Sequence, residues 1–184
     1  MRCIVDDEEA IAAGFDSIED KALEVTRKTR EEISKGPLPK TVWNKFANFC
    51  NEYNFKKTSY YAPIAAGYNI NGFDMPIVDR MCEKYGPVDK KRNRQGIFNP
   101  IFTIDVMQHI YCWFENNQEV KGYGMDYMRD YFGMSQESKD KAHDALQDVK
   151  DTANLMIKFM KFQRTLLEKT KFQKAFANGE VYVK

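Results

Sequence analysis

Two spacings of apolar residues run through this chain, and they predict its elements. Between residues 40 and 54, Val42, Trp43, Phe46, Phe49, Cys50 and Tyr53 recur every three or four positions, the mark of one core-facing helix stripe. Gly36-Pro37-Leu38-Pro39 breaks the chain just before it. The apolar run Pro63-Ile64-Ala65-Ala66-Gly67-Tyr68-Asn69-Ile70 is continuous rather than periodic and predicts a buried strand. Ile101-Phe102-Thr103-Ile104 predicts a second strand, parallel to the first and followed by Asp105. Helical spacing returns at Val106, Ile110, Trp113 and Phe114. It returns again at Ala142, Ala145, Leu146, Val149, Ala153, Met156, Ile157 and Met160, which share the apolar face of a long helix running on through Phe162, Leu166 and Leu167.

This alternation predicts an α/β domain over residues 21–168. An irregular segment, residues 1–20, precedes it, and a fraying tail, residues 169–184, follows. At 184 residues the chain is long enough to bury one core, and 43% hydrophobic with 30% charged residues describes an ordinary globule. A formal net charge of +1 gives no global attraction for nucleic acid, so any such surface must be local. No apolar run reaches membrane-spanning length, and the start lacks the apolar core of a secretion signal, so no membrane partner is expected. Cys3, Cys50, Cys82 and Cys112 are scattered, with no C-x-x-C pair and only two histidines. That is the pattern of reduced thiols in the cytoplasm rather than of a zinc site.

Three stretches can carry chemistry. In the first, the predicted strand ends at Asn71-Gly72-Phe73-Asp74, which places Asp74 at the carboxyl edge of a sheet, where open α/β proteins build their sites. A helix N-cap is the plainer role for Asp74, but it leaves Asn69 and Phe73 unexplained. The second is Val88-Asp89-Lys90-Lys91-Arg92-Asn93-Arg94, a loop whose four cations are either simply solvated or placed to neutralise several phosphates. The third is His143 followed by Asp148. Five residues turn a helix through roughly 140°, so the two converge only if His143 lies in the loop before the helix and Asp148 inside it. The polar run over residues 135–141 suits that loop. At the other end, Cys3-Ile4-Val5 followed by Asp6-Asp7-Glu8 reads as a solvated acidic turn.

Residues 67–76 read Gly67-Tyr68-Asn69-Ile70-Asn71-Gly72-Phe73-Asp74-Met75-Pro76 and closely resemble the second motif of the DEDD-type 3′–5′ exonucleases. His143-Asp144-Ala145-Leu146-Gln147-Asp148 resembles the third motif of the histidine-using branch of that family. Ala22-Leu23-Glu24-Val25-Thr26 and the segment from Tyr123 to Gly133 are similar to connecting elements of the same family. The resemblance implies a ribonuclease H-like α/β fold, helix-rich in its remainder, and two-metal phosphodiester hydrolysis. In that chemistry Mg²⁺ or Mn²⁺ ions roughly 3.5–4 Å apart activate water and stabilise the leaving oxygen. It implies Asp74 and Asp148 as metal ligands and His143 as general base. Asn69, Asn71 and Phe73 would lie against the nucleic acid, with Lys90, Lys91, Arg92 and Arg94 on its backbone.

The family's first motif, a strand ending in D-x-E within a hairpin, has no counterpart at the expected distance. The expectation is therefore a fold truncated at its N-terminus, with the first three strands missing and two of four metal-binding acids absent. Such a chain should be nearly inactive alone. Its expected partners are the 3′ end of a single-stranded nucleic acid and either a DNA polymerase, as in replication and proofreading, or a separately encoded N-terminal segment. The alternative is a catalytically inactive nucleic-acid-binding or polymerase-associated module on the same fold.

Overall fold

The computed structural model describes residues 20–134 and 144–169, together with Ile11. The reading of residues 1–20, the loop over residues 135–141, His143 and the end of the chain fall outside them, Ile11 and Asp20 excepted. The chain divides into two compact units, Met1–His109 and Ile110–Lys184, each with its own packing.

In the first unit, short helices α1 (Asp20–Thr26) and α2 (Arg30–Ser34) are separated by a turn. Thr29 caps α2 in a capping box, its hydroxyl accepting from the Glu32 N–H while the Glu32 carboxylate accepts from the Thr29 N–H. Helix α3 (Pro39–Glu52) follows, with Pro39 at its first position, where a missing N–H costs nothing. Its predicted stripe is only partly buried. Trp43 and Cys50 enter the core, whereas Phe49 and Tyr53 are exposed and pack edge to face on each other, ring centres 5.3 Å apart. The Trp43 indole N–H donates to the Gly86 carbonyl at 2.5 Å, which fixes α3 against the end of helix α4 (Asp74–Tyr85). Trp43, Cys50, Val78, Cys82 and Ile97 form the core between them. Burial pushes the Cys50 thiol up to about 11, which leaves it an inert core residue.

Strand β1 (Ala65–Gly67) is shorter than its apolar run. The chain turns at Asn69, whose φ of 54° is the left-handed conformation that asparagine tolerates. After α4, residues 88–95 form a hairpin and not the open loop expected from their charge. Strands β2 (Val88–Asp89) and β3 (Arg94–Gln95) pair antiparallel, and the Asp79 carboxylate accepts the Gln95 N–H at 3.2 Å. Strand β4 (Thr103–Asp105) pairs parallel with β1, as expected, with Gly67 opposite Asp105. Helix α5 (Val106–Phe114) begins directly at that strand's end.

The second unit takes the end of α5 and adds helices α6 (Met125–Tyr131) and α7 (Ala145–Lys169). Phe114, Tyr131, Phe132 and Phe159 meet edge to face, and Ile110, Met128 and Leu155 are fully buried. The predicted apolar face of α7 is not its buried face. Leu146 and Val149 are 63% and 65% exposed, while Asp151 and Leu155 are buried. The reason is ionic. The helix turns its acids toward a buried arginine, described below, and the aliphatic stripe is carried away with the opposite face. Among the described residues no helix is long and apolar enough to cross a membrane.

Candidate active site

At the carboxyl end of the parallel pair, backbone geometry is set by Asp105. Its carboxylate accepts the N–H groups of Asn69 at 3.0 Å, Asn71 at 3.3 Å and Met107 at 3.2 Å. Asp105 is buried, and three N–H donors satisfy a charge that would otherwise be costly there. It acts as a structural acid. Two glycines permit the turn it organises. A Cβ on Gly67 would lie 2.9 Å from the Ile70 Cβ, and one on Gly72 would lie 2.7 Å from the Asn69 Oδ1. The Thr103 hydroxyl donates to the Asn71 Oδ1 at 2.9 Å, tying the turn to the next strand.

Asp74 opens α4 just beyond this turn. It is the first helical residue rather than the cap; Phe73 holds the cap position and makes no side-chain cap bond. The plainer role as N-cap is thus excluded. Loss of solvent pushes the Asp74 carboxyl above its ordinary range, its own backbone N–H works the other way, and repulsion from Asp105 adds to the upward push. Asn69, Asn71, Phe73 and Asp74 are all exposed on this edge, Phe73 by 64%. The structure therefore brings four of the predicted residues to one turn.

The four predicted cations belong to the hairpin at the opposite end of α4. Lys90, Lys91, Arg92 and Arg94 are all exposed. Arg92 is already engaged, donating to the Asp89 carboxylate at 2.9 Å and to the Ser59 hydroxyl at 3.2 Å.

Asp148 lies in the first turn of α7, in the second unit. Asp144 precedes the helix and accepts from the Leu146 and Gln147 N–H groups. His143 itself is outside the described residues. The feature that sequence reasoning missed is Arg129, on α6 and only 2% exposed. Its Nε donates to Asp151 at 2.8 Å, its Nη1 to Asp126 at 2.7 Å and its Nη2 to Asp148. Burial works against the guanidinium charge, but the bonds to Asp151 and Asp148 outweigh it and hold its pKa above the ordinary value. Gln147 donates to the second oxygen of Asp151 at 2.8 Å and completes the cluster. Only the spacing of Asp148 and Asp151, one turn apart and facing the same way, could have signalled a shared cation.

The carboxylates of Asp74 and Asp148 are the oxygen donors that Mg²⁺ and Mn²⁺ accept. The mutual repulsion of Asp74 and Asp105 is the kind of imbalance that a cation relieves. Asp105 has its oxygens committed to N–H donors, and Asp148 is matched to Arg129. No group of three histidine, cysteine, aspartate or glutamate side chains is placed to hold a metal ion among the described residues.

No curated protein and no solved structure matches this chain. A family model does, that of the RNase T-type exonucleases, over residues 12–156. The match takes in the Asp74 turn, the hairpin, the Arg129 cluster and the His143–Asp148 segment, and reaches back to residue 12. By that match, which covers well over half of its length, the chain belongs to the exonuclease family.

Proposed function

We propose that this protein is a 3′–5′ exonuclease acting on the 3′ ends of single-stranded DNA or RNA with Mg²⁺ or Mn²⁺, on a ribonuclease H-like fold. One observation carries this reading: Asp74 stands at the carboxyl edge of a parallel pair, just after a turn that resembles the family's second motif and lies within the residues matched to the exonuclease family. Asp74 would hold metal, and Asp148 is the second carboxylate that the family resemblance assigns to that role, available once its bond to Arg129 opens. When bound, the ions activate water and stabilise the leaving oxygen. His143 would serve as general base toward the attacking water, a role that an imidazole suits near neutral pH. Exposed Asn69, Asn71 and Phe73 line the approach of the terminal nucleotide. Unpaired Cys50, Cys82 and Cys112 favour a cytoplasmic setting.

The second reading is a non-catalytic nucleic-acid-binding module, associated with a polymerase in replication and proofreading. The grip of Arg129 on Asp148 favours it, since a neutralised carboxylate is a poor metal ligand.

The deciding assay follows 5′-labelled single strands of DNA and of RNA with the purified chain and Mn²⁺. Progressive shortening that stops on Asp74→Asn supports the exonuclease. A strand left intact, yet bound, supports the module. Loss of shortening on Asp6→Ala or Glu8→Ala would make those residues the remaining ligands.

A further inference from the structure

A groove of about 820 Å³ runs between α3 and the β2–β3 hairpin, at the end of α4 away from Asp74. Helix α4 has twelve residues, which separates its two ends by roughly 18 Å. Asn44, Asn48 and Asn51 line one wall. Their spacing of four and then three residues keeps them within roughly 60° on α3, beside the face that carries Trp43, Phe46 and Cys50 into the core. All three are exposed, and none of their side-chain amides is hydrogen-bonded to another described residue. Lys57, Lys90 and Lys91 supply the cations. Lys57 is held in place by donating to the Asn51 carbonyl at 3.0 Å, which leaves its other N–H donors for a ligand.

The acid on the wall, Asp89, is already spent. Its bond to Arg92, helped by the Lys91 N–H, holds its carboxyl below the usual range. The groove is thus an open polar trough with three cations and a row of amides, unlike the mostly apolar, enclosed pockets that take small molecules. Amides accept and donate at phosphates and base edges alike, and ammonium groups neutralise phosphates.

We propose that this groove binds the phosphate backbone of a single-stranded nucleic acid, at a site separate from the Asp74 edge. It extends the proposed nuclease reading to a second surface, and binding measured in EDTA tests it apart from hydrolysis. The probe is a short fluorescent oligothymidylate, titrated with the whole chain and read by anisotropy. Three phosphate contacts predict roughly 20-fold weaker binding at 200 mM than at 50 mM salt. Lys57→Ser/Lys90→Ser/Lys91→Ser should abolish most of that salt dependence. Asn44→Asp/Asn48→Asp/Asn51→Asp, exposed changes that leave the core intact, should weaken binding at least tenfold. Lys158→Ser/Lys161→Ser on α7 should leave affinity within twofold. Groove variants that bind like the native chain, or α7 variants that lose as much as the groove variants, would overturn the proposal. Binding that survives intact while hydrolysis is absent would support the groove and count against the exonuclease reading alone.

Discussion

Asp74 and Asp148 are the same residue type, each in the first turn of a helix and each in a stretch that resembles a family motif, yet the protein treats them in opposite ways. Asp74 is pushed toward the protonated form, mainly by loss of solvent and further by the field of another acid, Asp105. Asp148 faces Arg129, a buried guanidinium that also holds Asp126 and Asp151. The first carboxylate is short of positive charge. The second is supplied with it by the fold. Motif position therefore says where an acid stands, and only its neighbours say whether its charge is available.

The comparison can be broken most sharply at Arg129. Arg129→Met leaves the buried Asp151 without its cation, and removing one partner of such a pair costs about 3–5 kcal/mol. Urea unfolding should show that loss. A loss below about 1 kcal/mol would mean the cluster is not what holds α6 to α7.

Asp74→Asn should do the reverse. Nuclease activity on a labelled strand should fall by about 100-fold or more, because a charge that cannot reorganise is lost at the reacting centre. Stability should stay level or rise slightly at neutral pH. The sign follows from the raised carboxyl: a folded-state pKa above the unfolded one contributes stability at low pH that is lost as pH rises through the folded value. Native and Asp74→Asn proteins should accordingly be closest in stability in acid and diverge, with the native protein the weaker, as pH rises from the unfolded to the folded value, then hold that gap at higher pH. Parallel stability curves would show that Asp74 is not perturbed.

The smallest effect should come from metal titration. Mn²⁺ binding should weaken as pH falls through the raised Asp74 value, since a protonated carboxyl is no ligand. Isothermal titration at several pH values reads this directly. Arg129→Lys, which keeps the charge but loses the planar fork that reaches three acids, should tighten Mn²⁺ binding if Asp148 is the second ligand. Unchanged affinity would leave Asp148 outside the metal site.

Much of the first unit was legible in the sequence. The helix that follows the Gly36–Pro39 break and the parallel pairing of the runs over residues 63–70 and 101–104 follow from apolar spacing and turn residues, although the paired strands are shorter than those runs. The hairpin over residues 88–95 was not legible, because strands of two residues are too short to show an alternation. The orientation of α7 was misread for a different reason. Leu146, Val149 and Ile157 make the stronger apolar stripe, but the helix is turned by Asp148 and Asp151, whose partner lies 19 and 22 residues upstream. No local pattern reports a contact across that separation.

The three N–H groups gathered by Asp105 also set how the Asp74 edge can move. Asn69 and Asn71 belong to the turn, and Met107 to the start of α5, so one carboxylate couples a surface turn to the first turn of a helix. Freeing any one of these amides leaves the buried charge short of a donor, so all three should exchange with solvent more slowly than amides of an unclamped surface turn. The turn that presents Asp74 is therefore tied to the strand behind it rather than hung as a free loop.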